Sequence, residues 1–458
     1  MSKASKGNMV VKAQGKFLNK KLTFIPILAL LIKIVVIFNV KQPDGSIVGG
    51  WLGADGESYL KGVNGLILQG YFSDEGVLSY WPAGYPIIIW ILCKISVLYV
   101  ILLLSIFQSI FYCLACIVFV RSLTKSILQP YLIPIALVLS FNPTLSLSSL
   151  VVGYESPVAS CILFLVSIIL INIEMKNQQQ PTAHVFFFGL IAALATFIQP
   201  RYFLTAIVLA IVWAFTYDKR KIKIYVLIMS LSITLIAPAI LIQRNAISIN
   251  KALISTNLGV TMRLGAGEST TGSYRHTGPE VPCNGTNASP VNSDGELVKC
   301  VIQWYIGNPE KAVRLFINKS WYFWSPWSGP LSNGTMARNP WLKVNPMVEI
   351  ASNSQEGNDL VYKWAGKSIS LVWVLANLLL LLIGFLYLYS QHGNLRKLSY
   401  LSAIPVVTSL LISAATIGDH RFRVPTMPMS LLLQVVGLLS MRQLWNRLVK
   451  DPRLGKLP

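Results

Sequence analysis

Apolar residues in this chain come in long runs of about twenty, separated by short polar segments, rather than in the alternation expected of strands. The runs lie near residues 22–40, 99–120, 130–150, 154–173, 183–200, 201–217, 224–243, 369–390, 398–417 and 426–441. Each is long enough to cross a hydrocarbon core of about 30 Å as a helix, which satisfies its own backbone in lipid. The pattern therefore predicts an all-α polytopic membrane protein with about ten transmembrane helices. Residues 83–97 form a shorter apolar run that holds Lys94, and they are expected to lie along the interface or to re-enter. Over residues 58–70, helical spacing puts Tyr59, Val63, Leu66 and Ile67 on one face and Lys61, Asn64 and Gln69 elsewhere. That is the pattern of a helix in the headgroup plane, expected to be short or broken at its glycines.

Composition agrees with this class. The 458 residues are 53% hydrophobic and 12% charged, with a mean hydropathy of +0.57, which excludes an ordinary soluble domain. The net charge of +21 does not point to nucleic acid, because the basic residues sit in short segments between the runs. These segments are Lys3 to Lys21, Arg121 and Lys125, Lys219 to Lys223, Arg396-Lys397, and Arg442 to Lys456. Read as positive-inside markers, they put both termini in the cytoplasm with an even number of crossings. The first run follows a Lys-rich terminus without a small-residue cleavage site, so it is expected to be a retained span. The organisation that follows is a cytoplasmic segment 1–21, a transmembrane module 22–243 with a first outer loop 41–98, a mixed and partly irregular outer loop domain 244–368, carboxy-terminal helices 369–441, and a basic tail 442–458.

The same parity gathers the unusual polar residues on the outer face: Asp55 and Glu57, Gly153-Tyr-Glu155, Gln199-Pro-Arg201, segment 244–368, and Gly418 to Pro425. Carboxylates number 18 against 39 Lys and Arg, so an acidic pair beside the bilayer suggests acid/base chemistry at that face. The plainer alternative is that Asp55 and Glu57 cap the helix that follows them. Of the six cysteines, Cys93, Cys113, Cys116 and Cys161 fall in apolar runs and read as buried thiols. Cys283 and Cys300 share the outer segment and are expected to pair in an oxidising compartment. The aromatic residues of Trp304-Tyr305 and of 318–327 read first as an interfacial belt and second as sugar-stacking rings. N-x-Ser/Thr sequons occur at Asn284, Asn287, Asn318 and Asn333.

Taken in order, these motifs resemble the GT-C glycosyltransferases of the protein-mannosyltransferase-like type, including bacterial enzymes that use polyprenyl-phosphate sugars. The resemblance covers most of residues 20–442 and rests on Asp55 and Glu57 after the first span, Trp81 to Pro86, and Asn142-Pro143 before Tyr154-Glu155. It continues through Gln199-Pro-Arg201, Arg244-Asn245, Thr256 to Gly259, Thr271-Gly272, and Gly418 to Pro428. The family often has a plain Arg-Pro where this chain has Gln199-Pro200-Arg201. What the resemblance implies is transfer of a sugar from a polyprenyl-phosphate donor to a glycan, lipid or protein acceptor. Asp55 would serve as general base, with Glu57 or Glu155 orienting the acceptor or a divalent metal ion. Arg201, Arg244, His420, Arg421 and Arg423 would be donor-phosphate partners, and Tyr59, Tyr85 and Asn257 substrate contacts. No cofactor is certain on this reading. The enzyme would sit in the inner membrane with its site on the extracytoplasmic face.

Two other classes share many spans. A polysaccharide polymerase or ligase would work mainly through basic loop residues. A lipid-linked glycan transporter would carry ionisable residues at membrane depth, and these are nearly absent from the runs here, Lys33 being the clearest exception.

Overall fold

The computed structural model describes residues 3–40, 47–52, 55–124, 128, 131–174, 181–268, 270–273, 281, 283, 290–324 and 360–450. Among these the protein is a helical membrane bundle. Seven helices are long and apolar enough to cross a bilayer: Lys20–Asn39, Val100–Ser122, Glu155–Glu174, Arg220–Ser248, Leu371–Ser390, Asn394–Ala415 and His420–Gln443. An eighth span results if the bent pair Leu132–Phe141 and Pro143–Leu150 is counted as one crossing.

In chain order the helices are α1 (Lys3–Asn39), α2 (Gly56–Gln69), α3 (Val77–Tyr80), α4 (Gly84–Cys93), α5 (Val100–Ser122), α6 (Leu132–Phe141) and α7 (Pro143–Leu147). They continue as α8 (Glu155–Glu174), α9 (Thr182–Ile198), α10 (Phe203–Phe215), α11 (Arg220–Ser248), α12 (Leu258–Leu264), α13 (Pro290–Gly307) and α14 (Pro309–Trp324). The last three are α15 (Leu360–Ser390), α16 (Asn394–Ala415) and α17 (Met427–Lys450). The basic segments at both ends are thus helical extensions of spans as far as they are described, not separate tails.

The departures from the expected ten spans have local causes. The run 130–150 is bent by 50° at Asn142-Pro143. Proline lacks the amide hydrogen and pushes the preceding residue out of the helical region, and Asn142 has ψ 120°. Its side chain instead caps α7, accepting from Leu145 N at 3.0 Å. Gln199 is likewise extended before Pro200, which leaves α9 with 17 residues and α10 with 13. At 1.5 Å per residue a 17-residue helix spans about 26 Å, short of a full crossing. α4 has ten residues, so it too falls short of a span, as the sequence suggests.

α8 is the hub of the bundle: 83% of its membrane window is buried, against 28% for α1 and 17% for α15, which lie at the periphery. Leu375, Leu379, Leu382 and Leu386 of α15 are exposed, as lipid-facing residues would be. α15 crosses α17 at Gly384 and Gly437, where a Cβ on either glycine would overlap a backbone carbonyl oxygen of the other helix. α2 differs from expectation in being continuous, and in turning Tyr59, Val63 and Leu66 inward against α4 while Ile67 is exposed.

The described part of segment 244–368 is mostly helical, with irregular stretches at 249–257, 265–268 and 270–273 and a β-bridge at Ser273. α12 and α13 enclose a small core of Met262, Ala266, Val281, Cys283, Leu297 and Val301, closed by the disulfide Cys283–Cys300. Asp294 accepts the Gly259 amide at 2.7 Å, at the start of α12. The sequons at Asn284, Asn287 and Asn333, and residues 325–327 of the aromatic segment, lie outside the described residues. The sequon at Asn318 falls inside α14, where Ser320 Oγ donates to the Phe316 carbonyl.

Candidate active site

The site is assembled by a two-stranded parallel pairing, the one sheet among the described residues. β1 (Trp51–Leu52) follows the first span and β2 (Val151–Val152) follows the bent pair, with Leu52 opposite Val152. Asp55 stands three positions after Leu52, and Glu155 three after Val152. The pairing therefore brings two loops that are distant in sequence into step, and their carboxylates converge. Asp55 sits at the start of α2, but its side chain makes no cap bond there. Capping, the plainer reading of this carboxylate, does not describe it. Its Oδ2 instead meets Arg421 Nη1 at 2.5 Å, and Glu155 Oε1 accepts from Arg421 Nε. Glu57, in the first turn of α2, is exposed. The acid that joins Asp55 is thus Glu155 rather than its neighbour in sequence.

Arg421 comes from a 3-10 segment, His420–Thr426, between α16 and α17. Asp419 caps this segment, its Oδ1 accepting the Arg421 amide at 2.9 Å and standing 3.1 Å from His420 Nδ1. Burial would raise the Asp419 carboxyl, but His420, the Arg421 amide and the Arg421 charge together hold it below its usual value. The turn before it is pinned from outside. Gly418 N donates to the Gly272 carbonyl at 2.8 Å, and Ser273 bridges to Gly418. Gly418 lies flat on the Lys319 backbone, where any side chain would collide.

Tyr154 forms the floor of the site. The Arg421 guanidinium lies 4.8 Å from its ring centroid and that of Arg201 5.4 Å, while Arg201 is 4.0 Å from the Phe422 ring. Burial, partly offset by the two arginines, pushes the Tyr154 hydroxyl up to about 12. Arg201 Nη1 and the Tyr154 hydroxyl are both buried without a hydrogen-bond partner among the described residues. Arg423 is buried in the same 3-10 segment and donates to the Trp324 carbonyl at 2.9 Å, with no partner for its Nε among the described residues.

Of the other residues with expected roles, Arg244 and Asn257 stand elsewhere, while Tyr59 and Tyr85 are buried next to the cluster. Arg244 is buried and donates to the carbonyls of Ser73 and Leu78 and to Asn245 Oδ1, so it anchors the first outer loop rather than facing the carboxylates. Tyr85 is buried and its hydroxyl accepts the Gly153 amide at 2.8 Å while meeting Gln108 Oε1 at 3.3 Å, which makes it a support for the Gly153–Glu155 turn rather than an open contact. Tyr59 is buried edge-on to Tyr85 at 5.0 Å, and burial with the nearby Asp55 raises its hydroxyl well above the ordinary range. Asn257 accepts from Thr261 Oγ1 at 2.8 Å at the start of α12.

Two supporting residues escape a reading of the outer loops. Gln108, in the middle of an apolar run, donates to the Val151 carbonyl at 3.1 Å and so holds β2 from below. Its signal was a lone amide in a span. Lys319 is fully buried and donates to the Thr416 carbonyl at 2.6 Å and the Tyr305 hydroxyl at 2.8 Å. Nothing in its helical neighbourhood marks it as an internal cation.

A divalent metal ion held here would take Asp55 and Glu155 as its carboxylate donors, with water or substrate phosphate completing the set. Among the described residues no group of three or more His, Cys, Asp or Glu is placed to hold one, and Arg421 spans the two carboxylates. Comparison with family models and with curated proteins finds no match to this chain.

Proposed function

We propose that this protein is an integral-membrane glycosyltransferase that moves a sugar from a polyprenyl-phosphate donor to an acceptor hydroxyl at the outer face of the membrane. One observation carries the reading: Asp55, Glu155 and Arg421, from three separate parts of the chain, meet in one cluster on the Tyr154 ring, which they share with Arg201. In the proposed reaction the acceptor oxygen attacks the anomeric carbon as its proton passes to Asp55. The bond from that carbon to the phosphate oxygen breaks, and the phosphate departs with the electron pair. Arg421 orients both carboxylates. Arg201, with its Nη1 unpaired among the described residues, is the better partner for the departing phosphate, with Arg423 second to it. A groove of about 420 Å³ beside β1, lined by Val35, Val36, Asn39, Val40 and Trp51, suits an isoprenoid chain.

Ten spans, with both termini in the cytoplasm and the enzyme in the inner membrane, require the bent pair to cross and also α9 and α10, whose shortness the bilayer would meet by local thinning. A transporter is the second reading, because Lys33 is buried within α1. Its amine, however, meets Ser149 Oγ at 3.3 Å and the Tyr112 ring at 4.9 Å, which suits a support for β2.

The test uses purified protein in nanodiscs and a panel of polyprenyl-phosphate hexoses and pentoses, with release of polyprenyl phosphate as readout. Asp55→Asn should bind the donor as before but lose turnover by about 100- to 10,000-fold. Arg201→Ala should weaken donor binding, with Arg201→Lys restoring only part of it. Full turnover in Asp55→Asn would remove it as the base, and glycan flux without donor cleavage would favour the transporter.

A further inference from the structure

The hairpin of α13 and α14 is three-sided. One side faces inward: Leu315, Lys319 and Phe323, at helical spacing, are buried against α16 and the 3-10 segment. A second side is polar, with Glu310, Lys311 and Arg314. The third side is apolar and open. Ile306 at the end of α13 is 75% exposed, and Val313 and Ile317 of α14 are 61% and 60% exposed, with Ile302 and Phe316 beside them. Along α13 the exposed residues change from Gly295, Glu296 and Lys299 to Ile302, Gln303, Ile306 and Gly307, so its exposed aliphatic side chains lie toward the turn of the hairpin. These helices are not spans, and large aliphatic side chains clustered at such a tip would cost free energy in water, at about 25 cal/mol per Å².

We propose that this tip is a lipid-docking surface, seated in the headgroup and upper acyl region of the bilayer that the spans cross. Continuity selects lipid as the occupant. α14 packs directly on α16, an apolar helix of spanning length that ends at Ala415, so the hairpin adjoins an element expected to meet lipid. The sector pattern is that of an interfacial helix, an apolar face flanked by Lys and Arg, which buries its apolar side about 5–10 Å below the headgroups. Docking has a consequence for the site. α14 holds the Thr416 carbonyl through Lys319 and Arg423 through the Trp324 carbonyl, so the depth of the hairpin sets the level of Arg421 relative to the lipid. The proposal stands independently of the glycosyl-transfer reading.

Spin labels at Ile306→Cys, Ile317→Cys and the control Lys299→Cys test it, in nanodiscs of phosphatidylcholine and phosphatidylglycerol. The four native free thiols are buried, and unsubstituted protein serves as the blank. The expected result is that oxygen outcompetes a water-soluble nickel chelate at 306 and 317, at a depth of about 5–10 Å, and that the chelate wins at 299. Chelate access at all three positions would place the tip in water and overturn the proposal. Protection at 306 and 317 from both reagents would place another protein surface there and overturn it equally. Val313→Cys reads the same face should a label at 306 disturb the turn.

Discussion

At the scale of the residue, Arg421 is one guanidinium between two carboxylates, and this limits what each group can do. A cation already matched by Asp55 and Glu155 is poorly placed to take a phosphate as well, whereas Arg201 retains a nitrogen unpartnered among the described residues. Lys319, buried in α14, is pushed down to about 7 by that burial. In the unfolded chain a lysine titrates near about 10.4. Between those values the unfolded state binds a proton that the folded state does not, so stability rises with pH across that window. Below about 7 both states hold the proton and the full burial penalty applies. Thermal unfolding in nanodiscs from about pH 6 to about pH 10 should therefore show a positive slope of at most about 1.4 kcal/mol per pH unit, and Lys319→Met should flatten it. An identical slope in both proteins would mean that Lys319 is not the titrating group.

At the scale of the element, the bundle depends on close approach where lipid gives no hydrophobic drive for one helix to prefer another. The α15–α17 crossing at Gly384 and Gly437 is the clearest case, since each glycine faces a backbone oxygen that cannot move without separating the helices. Gly384→Val should lower stability by about 1–3 kcal/mol, read as a fall in the unfolding midpoint. Gly295→Ala, in α13 with open space around it, should be neutral or mildly stabilising through helix propensity. Equal effects of the two changes would show that the crossing is looser than the geometry implies. The β1–β2 pairing is far smaller, yet it has no slack. A shift of one residue would turn each side chain to the other face and part Asp55 from Glu155.

At the scale of the whole molecule, the proposed topology collects the cluster, the disulfide and the hairpin on one side. A cysteine placed at Lys299 should react with an impermeant reagent in intact cells. Cysteines at Lys221 and Arg396 should react only once the inner face is opened. The reverse pattern would put the Asp55 cluster on the cytoplasmic side and remove the outer-face reading.

Most of the membrane helices were legible along the chain, because a run of about twenty apolar residues is a local property that lipid enforces wherever the run falls. The Cys283–Cys300 pair was legible for a related reason, being the two thiols outside such runs. What the linear order could not supply was partner choice. Asp55 has Glu57 two residues away and Glu155 a hundred residues away, and β1–β2 register selects the distant one. Arg244 and Arg421 look alike in sequence as arginines at span ends. Yet one faces the carbonyls of Ser73 and Leu78, and the other is carried to the carboxylates by a 3-10 turn capped by Asp419. Breaks at Asn142 and Gln199 were visible as prolines within apolar runs, but whether such a run kinks or ends depends on what its freed backbone groups find nearby. Gln108 and Lys319 show the same division: a single polar side chain in an apolar run or helix face is easily seen, while the carbonyl that justifies its burial is brought to it only by packing.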